Sequence, residues 1–570
     1  MNKRLVALAA TGVVAVVAAY LVLPDRGGGS GCAPLEVNTS VETGKIEAIQ
    51  ALAKEYNASG RRAGEHCVEI SVHATSSGRA KQALSEEWTT PVEGAPKPDV
   101  WLPTTSLWVE LLVHEGKLDG MPTPLPSIAQ SPLAIAMPEK MARAMGWPAT
   151  QVSWREILKR SEEPTGWAQH GHPEWGRFGF GKDNPRKSSS GLAATVATYY
   201  AATGKSSDLR VADIDDKNVA AFVLGVEAGV HHYDDDATKF LRTLGQYDEA
   251  GKALTYVSAI PLEEQLIYEY NLGGYTGGRK PTEPLVALYP TDGTFMLDHP
   301  YVIMPELDQA RKAGAADFLA YLLERQPLAD KGFRLPSEDK AELKHEIPGM
   351  LKLIDQNSVR HTPSGAVIDR MLQAWDTMRK QADILFIIDV SGSMEETVPD
   401  GRQRMQVVQD VLIAGIDNLP PVHNVALWTF SDGINHVLPL RSVADTRQQL
   451  RNTITSLEPK GATALYRAVR EGHRDMAARV SKDRITAVIV LTDGKNEDTL
   501  DNNLPRLLAD IDSITLEAAG RPSVRVFSVA FSGDANFADM KQISERTRGR
   551  AYDATENDLN KIFVDVISNF

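Results

Sequence analysis

Short apolar runs with strand character alternate with apolar positions at helical spacing from residue 33 to the C-terminus. Residues 35–38 precede a helix pattern at about 45–57, where Ile46, Ile49, Leu52 and Ala53 recur every three or four positions. Residues 68–72 lead through Thr75-Ser76-Ser77-Gly78 into a helix over about 80–88. Residues 98–103 make a third strand, and Thr104-Thr105-Ser106 cap a helix that starts at Leu107. Three strand–loop–helix units in a row predict a parallel sheet. The alternation continues with apolar runs at 131–138, 256–261, 285–290 and 299–303 and helix patterns at 192–202 and 315–323. Residues 337–349 are charged, contain Pro348 and read as a linker. A helix follows, with Val367, Ile368, Met371, Leu372 and Trp375 at helical spacing; it is expected at a domain junction.

The last third has a different texture. Residues 384–388 are a continuous apolar run and residues 485–491 are apolar but for Thr486, as expected of strands buried on both faces of a parallel sheet. The first ends in Asp389-Val390-Ser391-Gly392-Ser393, the second in Thr492-Asp493-Gly494. Between them Gly461-Ala462-Thr463 offers a hydroxyl just before a helix pattern. Strand-to-helix junctions of a doubly wound sheet lie along one edge, where such folds bind their ligands. Asp389, Ser391, Ser393, Thr463 and Asp493 therefore make an all-oxygen set for a hard cation. Asp-x-Ser-x-Ser, then Thr, then Asp is the pattern of a metal-ion-dependent adhesion site. On these residues the segment from 381 to 570 resembles a von Willebrand factor type A domain, a doubly wound Rossmann-like fold. The resemblance implies Mg2+, or another divalent cation such as Mn2+ or Ca2+, with a carboxylate of a protein partner completing its coordination. Taken alone, Asp-x-Ser-x-Ser also suits a turn that caps the next helix. A phosphotransferase of the haloacid dehalogenase type would need Asp where Ser391 stands, and no phosphate-binding Gly-x-x-x-x-Gly-Lys-Ser/Thr loop follows a strand.

The order of elements over residues 32–336 resembles extracellular solute-binding proteins. That implies a two-lobed, periplasmic-binding-protein-like α/β region, with residues 131–138 crossing into the second lobe and a small solute held in the cleft. By this resemblance Ser40, Ser76, Ser77, Thr105, Ser189 and Ser258 are cleft candidates. Each also reads as a helix cap without a ligand. His170-Gly171-His172, His231-His232 and Asp234-Asp235-Asp236 lack zinc-motif spacing and read as polar loops. Trp167 and Trp175 lie amid glycines, either on a surface or in a small core.

Composition adds location. At 570 residues several domains are expected, at ~150 residues each. The net charge of −14 and the absence of a basic patch argue against nucleic acid as partner. Lys3 and Arg4 precede an uncharged, mostly apolar run from Leu5 to Leu23. It is long enough for one membrane span of ~17–25 residues. The flanking charge sends the rest of the chain out, and residues 24–31 form a glycine-rich tether. The expected location is the cell membrane, single-pass with the bulk extracytoplasmic; cleavage near residue 30 would give a secreted protein. The chain has two cysteines, Cys32 and Cys67, each directly before a strand pattern. An even count on an exported chain implies a disulfide, the alternative being two free thiols. These features favour a surface protein that binds other proteins through a metal. The alternative is a transport receptor with an accessory A domain. No catalytic constellation is found, so an enzyme is not expected.

Overall fold

The structure, a computed structural model, describes residues 32–570 except 90, 93, 151, 337–339, 356–358, 399–400, 482–483, 518–523, 534, 548, 555–558, 560–561, 564–565 and 567–570. The expected N-terminal anchor and tether lie outside the described residues. Among the described residues no helix is long and apolar enough to cross a membrane. The chain forms two compact units. One holds the chain up to Glu163, Phe178–Val230 and Asp234–Met378; the other holds Pro164–Arg177, His231–Tyr233 and Arg379–Phe570.

In the first unit the three predicted strand–helix pairs are present: β1 (Ala33–Val41) with α1 (Ile46–Ala58), β2 (His66–Ala74) with α2 (Ser77–Ser85), and β3 (Val100–Leu102) with α3 (Leu107–His114). β1 lies between β2 and β3, parallel to each. The register sets Pro34 opposite Cys67, so Cys32 and Cys67 meet as a disulfide with Cα atoms 5.4 Å apart. The core gathers Val37 and Val41 of β1, Ile49 and Tyr56 of α1, and Phe318 and Leu322 from a helix at Gln309–Arg325. The strand expected to cross into a second lobe is β4 (Ser131–Pro138), buried along its whole length. It pairs antiparallel with β5 (Ile260–Glu263), β6 (Leu285–Leu288) and β7 (Thr294–Leu297). α4 (Ser189–Thr203) begins earlier than its pattern predicts, because the Ser188 side chain caps it at Gly191 N. α4 is buried on most sides, so it shows little amphipathic signal.

The charged segment after residue 336 is not a plain linker. β8 (Arg334–Leu335), β9 (Lys340–Leu343) and β10 (Leu353–Asp355) form a three-stranded antiparallel sheet. Ala341, Leu343 and Ile354 turn inward while Glu342, Lys344, His345 and Glu346 stay exposed, so the stretch looks polar in sequence although it packs as a sheet. The fully buried Arg334 anchors it. Its guanidinium pairs with Glu264 at 2.7 Å and donates to the carbonyls of Ala341 and Leu351. The helix expected at the junction, α5 (Gly365–Met378), packs on α3 within the first unit. Gly365 permits this, since a Cβ there would lie 2.1 Å from Glu110 O.

The second unit is a six-stranded sheet. Its strands in chain order are β11 (Gln381–Asp389), β12 (Asn424–Phe430), β13 (Ile434–Ser442), β14 (Arg484–Thr492), β15 (Val524–Ala530) and β16 (Ala551–Asp553). The spatial order is β13-β12-β11-β14-β15-β16, with only the β12–β13 pair antiparallel. This is the doubly wound order, which reverses direction between β11 and β14. Leu385 and Ile387 of β11 pack with Leu465 and Val469 of α6 (Leu465–Ala477). Gly472 lets that helix approach closely: a Cβ there would lie 2.5 Å from Ile387 Cδ1. Trp167 is buried and packs edge-on against Trp175, which is half-buried and stacks on His172.

Candidate metal centre and closed cleft

The crevice between β11 and β14 gathers the five oxygen-bearing residues. Ile388 is in register with Leu491, so Asp389 and Thr492 end their strands side by side. Thr492 Oγ1 donates to Asp389 Oδ2 at 2.5 Å, and Ser391 N donates to Asp389 Oδ1 at 2.8 Å. The Ser391 and Ser393 hydroxyls are 3.1 Å apart, and Ser393 Oγ donates to Asp493 Oδ1 at 2.9 Å. The Thr463 loop is tied in by main-chain bonds from Gly392 N to Gly461 O and from Lys460 N to Val390 O, 2.9 and 2.6 Å long. A Cβ on Gly494 would lie 3.5 Å from Thr463 Oγ1 and 4.0 Å from Ser393 Oγ, so a glycine here leaves the space between those hydroxyls clear.

The cluster is buried: Asp389 and Asp493 are fully so, and Ser391 and Thr463 nearly so. Burial pushes the Asp389 carboxyl up to about 6, against hydrogen bonds from Ser391 and Thr492; the nearby Asp493 adds to the rise. A cation would favour the charged form and offset that desolvation. Two carboxylates and three hydroxyls, all oxygen, fit a hard divalent ion better than a soft one.

Arg404 went unnoticed in the sequence. It opens α7 (Arg404–Asn418), where the helix dipole disfavours a positive charge. Two carboxylates hold it: it pairs with Asp493 Oδ2 and with Glu396 Oε2, each at 2.8 Å. A basic residue at the first position of a helix that follows the Asp-x-Ser-x-Ser loop was the available signal.

The cleft candidates of the first unit fare differently. Ser76 lines a small interlobe cavity of ≈ 50 Å3, together with Glu42, Thr104, Lys187, Ser189, Asp235 and Glu263. Ser77 donates through N and Oγ to Glu42 Oε2 at 2.6 and 2.5 Å. Ser189 also lines the cavity but accepts a bond from Trp108 Nε1 at 2.9 Å. Ser40, Thr105 and Ser258 are buried and do not line it. Ser258 Oγ accepts from Gly179 N, and Thr105 Oγ1 from Leu107 N. The sequence reading overlooked Glu42. Its other oxygen accepts from Thr43 N and Oγ1 at 3.0 Å, so a carboxylate of the chain fills the start of α2. Burial pushes the Glu42 carboxyl up, partly offset by the Ser77 bonds. The lobes touch there, since a Cβ on Gly78 would lie 2.3 Å from Lys187 O. Beneath, Lys45 donates to His299 Nδ1 at 3.1 Å, which leaves His299 Nε2–H to donate to Glu263 at 2.8 Å.

A fold with a parallel-sheet lobe, a second lobe around a crossing strand and a separate doubly wound unit defines a solute-binding body joined to an A domain. The chain belongs to the family of bacterial extracellular solute-binding proteins, whose model matches residues 37–334. Residues 383–565 match the von Willebrand factor type A domain. Over 522 residues the chain is 24% identical to Uncharacterized protein Rv1836c of Mycobacterium tuberculosis (strain ATCC 25618 / H37Rv), covering 88% of this chain and 71% of that one. Among solved structures, the von Willebrand factor type A protein from Catenulispora acidiphila is 21% identical with a TM-score of 0.28; the match covers 33% of this chain and 42% of that one. The periplasmic binding protein AfuA from Actinobacillus pleuropneumoniae, with fructose-6-phosphate bound, is 14% identical with a TM-score of 0.39; the match covers 62% of this chain and 100% of that one.

Proposed function

We propose that this chain is an extracytoplasmic binding protein whose A domain grips a protein partner through a divalent cation. Asp389, Ser391, Ser393, Thr463 and Asp493 would hold the ion, and a partner carboxylate would complete its coordination. The observation that carries this reading is the meeting of all five side chains in the crevice at the sheet's switch point. The bound ion would supply a positive charge inside a largely buried pocket, where attraction for a carboxylate exceeds that at an open surface. The role is binding rather than turnover. An extracytoplasmic location agrees with the family's description, and the apolar run from Leu5 to Leu23 would serve as anchor.

The second reading, a receptor for a small solute, is favoured by the two-lobed fold. Against it stand the small cavity and the carboxylate that already occupies the start of α2. Pull-downs from native membranes discriminate between the two. Partner capture in Mg2+ that is lost with chelator and with Asp389→Ala supports the adhesion reading. A partner retained under both conditions overturns it.

A further inference from the structure

Arg404 brings a positive charge into a crevice whose oxygen set suits a cation. Its side chain is 14% exposed and bonded to Asp493 Oδ2 at 2.8 Å, while Asp493 Oδ1 accepts from Ser393. Both oxygens of that carboxylate are thus engaged within the unit. The second partner of the guanidinium, Glu396, is 60% exposed and stands on the solvent side. The helix dipole adds nothing to hold Arg404 in place, because a helix N-terminus repels a cation. Asp493 and Glu396 pair with it, and Nη1 also lies 3.5 Å from Ser393 O.

We propose that Arg404 is a tethered competitor of the metal ion. With the site empty of metal, the guanidinium neutralises Asp493. When the ion takes Asp493, the guanidinium gives up that bond and keeps Glu396. The affinity for metal is then set by this chain's own arginine, and metal entry is coupled to a movement of the Arg404 side chain. This inference rests on the metal-site reading of the five residues.

The test is calorimetric titration of the full chain with MgCl2 or MnCl2, comparing wild type, Arg404→Gln, Arg404→Lys and Asp389→Ala. A charge-assisted hydrogen bond contributes enough that its removal is expected to tighten metal binding about tenfold to a hundredfold in Arg404→Gln. Arg404→Lys, which keeps the charge, stays near wild type. Equal or weaker binding by a folded Arg404→Gln variant overturns the proposal and leaves the metal site standing. If Asp389→Ala binds as wild type does, or if neither wild type nor Arg404→Gln binds metal, the metal-site reading falls and the proposal with it. Should Arg404→Gln fail to fold, NMR of the Arg404 Nε–H in the wild-type chain decides. The signal must shift in step with metal occupancy, and an unmoved signal overturns the proposal.

Discussion

The two units differ in the charge that occupies their strand-end sites. In the solute-binding body, buried charges close on one another. Arg334 pairs with Glu264 and Lys182 with Glu227, while Glu263 accepts a hydrogen bond from His299. Even at the cleft, Glu42 takes the N–H and hydroxyl of Ser77 at a helix start. In the A domain, two buried carboxylates share one crevice with three hydroxyls, and an arginine reaches in from the rim. Both sites sit where strands end and helices begin. One contains a side chain with the sign of an anionic solute, the other a side chain with the sign of a metal ion. A strand-end position thus marks where ligands can bind, while the charge already present decides whether a ligand must compete for it.

That contrast can be broken most severely at Arg334. Arg334→Met leaves Glu264 buried without its partner and is expected to cost the solute-binding body about 3–5 kcal/mol. Arg404→Gln, in the A domain, is expected to change stability far less. Chemical denaturation of the two variants checks this, and equal losses would erase the distinction. Removal of the disulfide by Cys32→Ser with Cys67→Ser is expected to cost the same body about 2–4 kcal/mol. Its thermal transition should drop while that of the A domain stays in place.

Acid should act on the A domain. Burial holds His473 down to about 4 and, with Arg379 and Arg484 nearby, His423 down to about 3. Below the ordinary histidine value of 6.5 the unfolded chain takes up protons that the folded one refuses. Stability is therefore present above pH 6.5 and is lost as pH falls toward 4, by about 2–3 kcal/mol for each histidine. Asp389, pushed up to about 6, works the other way and regains stability as pH falls through 6. The net expectation is acid destabilisation, read as melting temperature against pH, with a shallower slope in His473→Leu. The smallest effect concerns the cleft. Inorganic phosphate should give no thermal shift with wild type. Glu42→Ala, which frees Ser77 N, should gain about 1 kcal/mol at ~5 Kd. A shift of the same size in wild type would show that Glu42 does not fill the site.

The outcomes also show what a sequence carries. The sheet of the A domain was legible because β11 and β14 carry long apolar runs, Ile384–Ile388 and Ala487–Leu491, a pattern that requires cover on both faces. The oxygen set was legible because each member stands at a strand end or on a glycine-flanked turn. The disulfide followed from two cysteines ahead of strands that pair in parallel register. Arg404, Glu42 and the sheet around Arg334 were hidden. Each depends on a partner distant in sequence or on a charge facing inward, and a single charged letter does not say which way it faces. The cleft serines were only partly legible for a related reason: Ser189 lines the cavity with a hydroxyl already engaged by Trp108, and Ser258 lies off it, bonded to Gly179 N.

The central claim is that the crevice between β11 and β14 holds a divalent cation. Calorimetric titration of the full chain with MgCl2, wild type against Asp389→Ala, tests it most directly. Saturable binding to one site in wild type, lost in Asp389→Ala, is the expected result. No binding in wild type, or binding unchanged in Asp389→Ala, would contradict it.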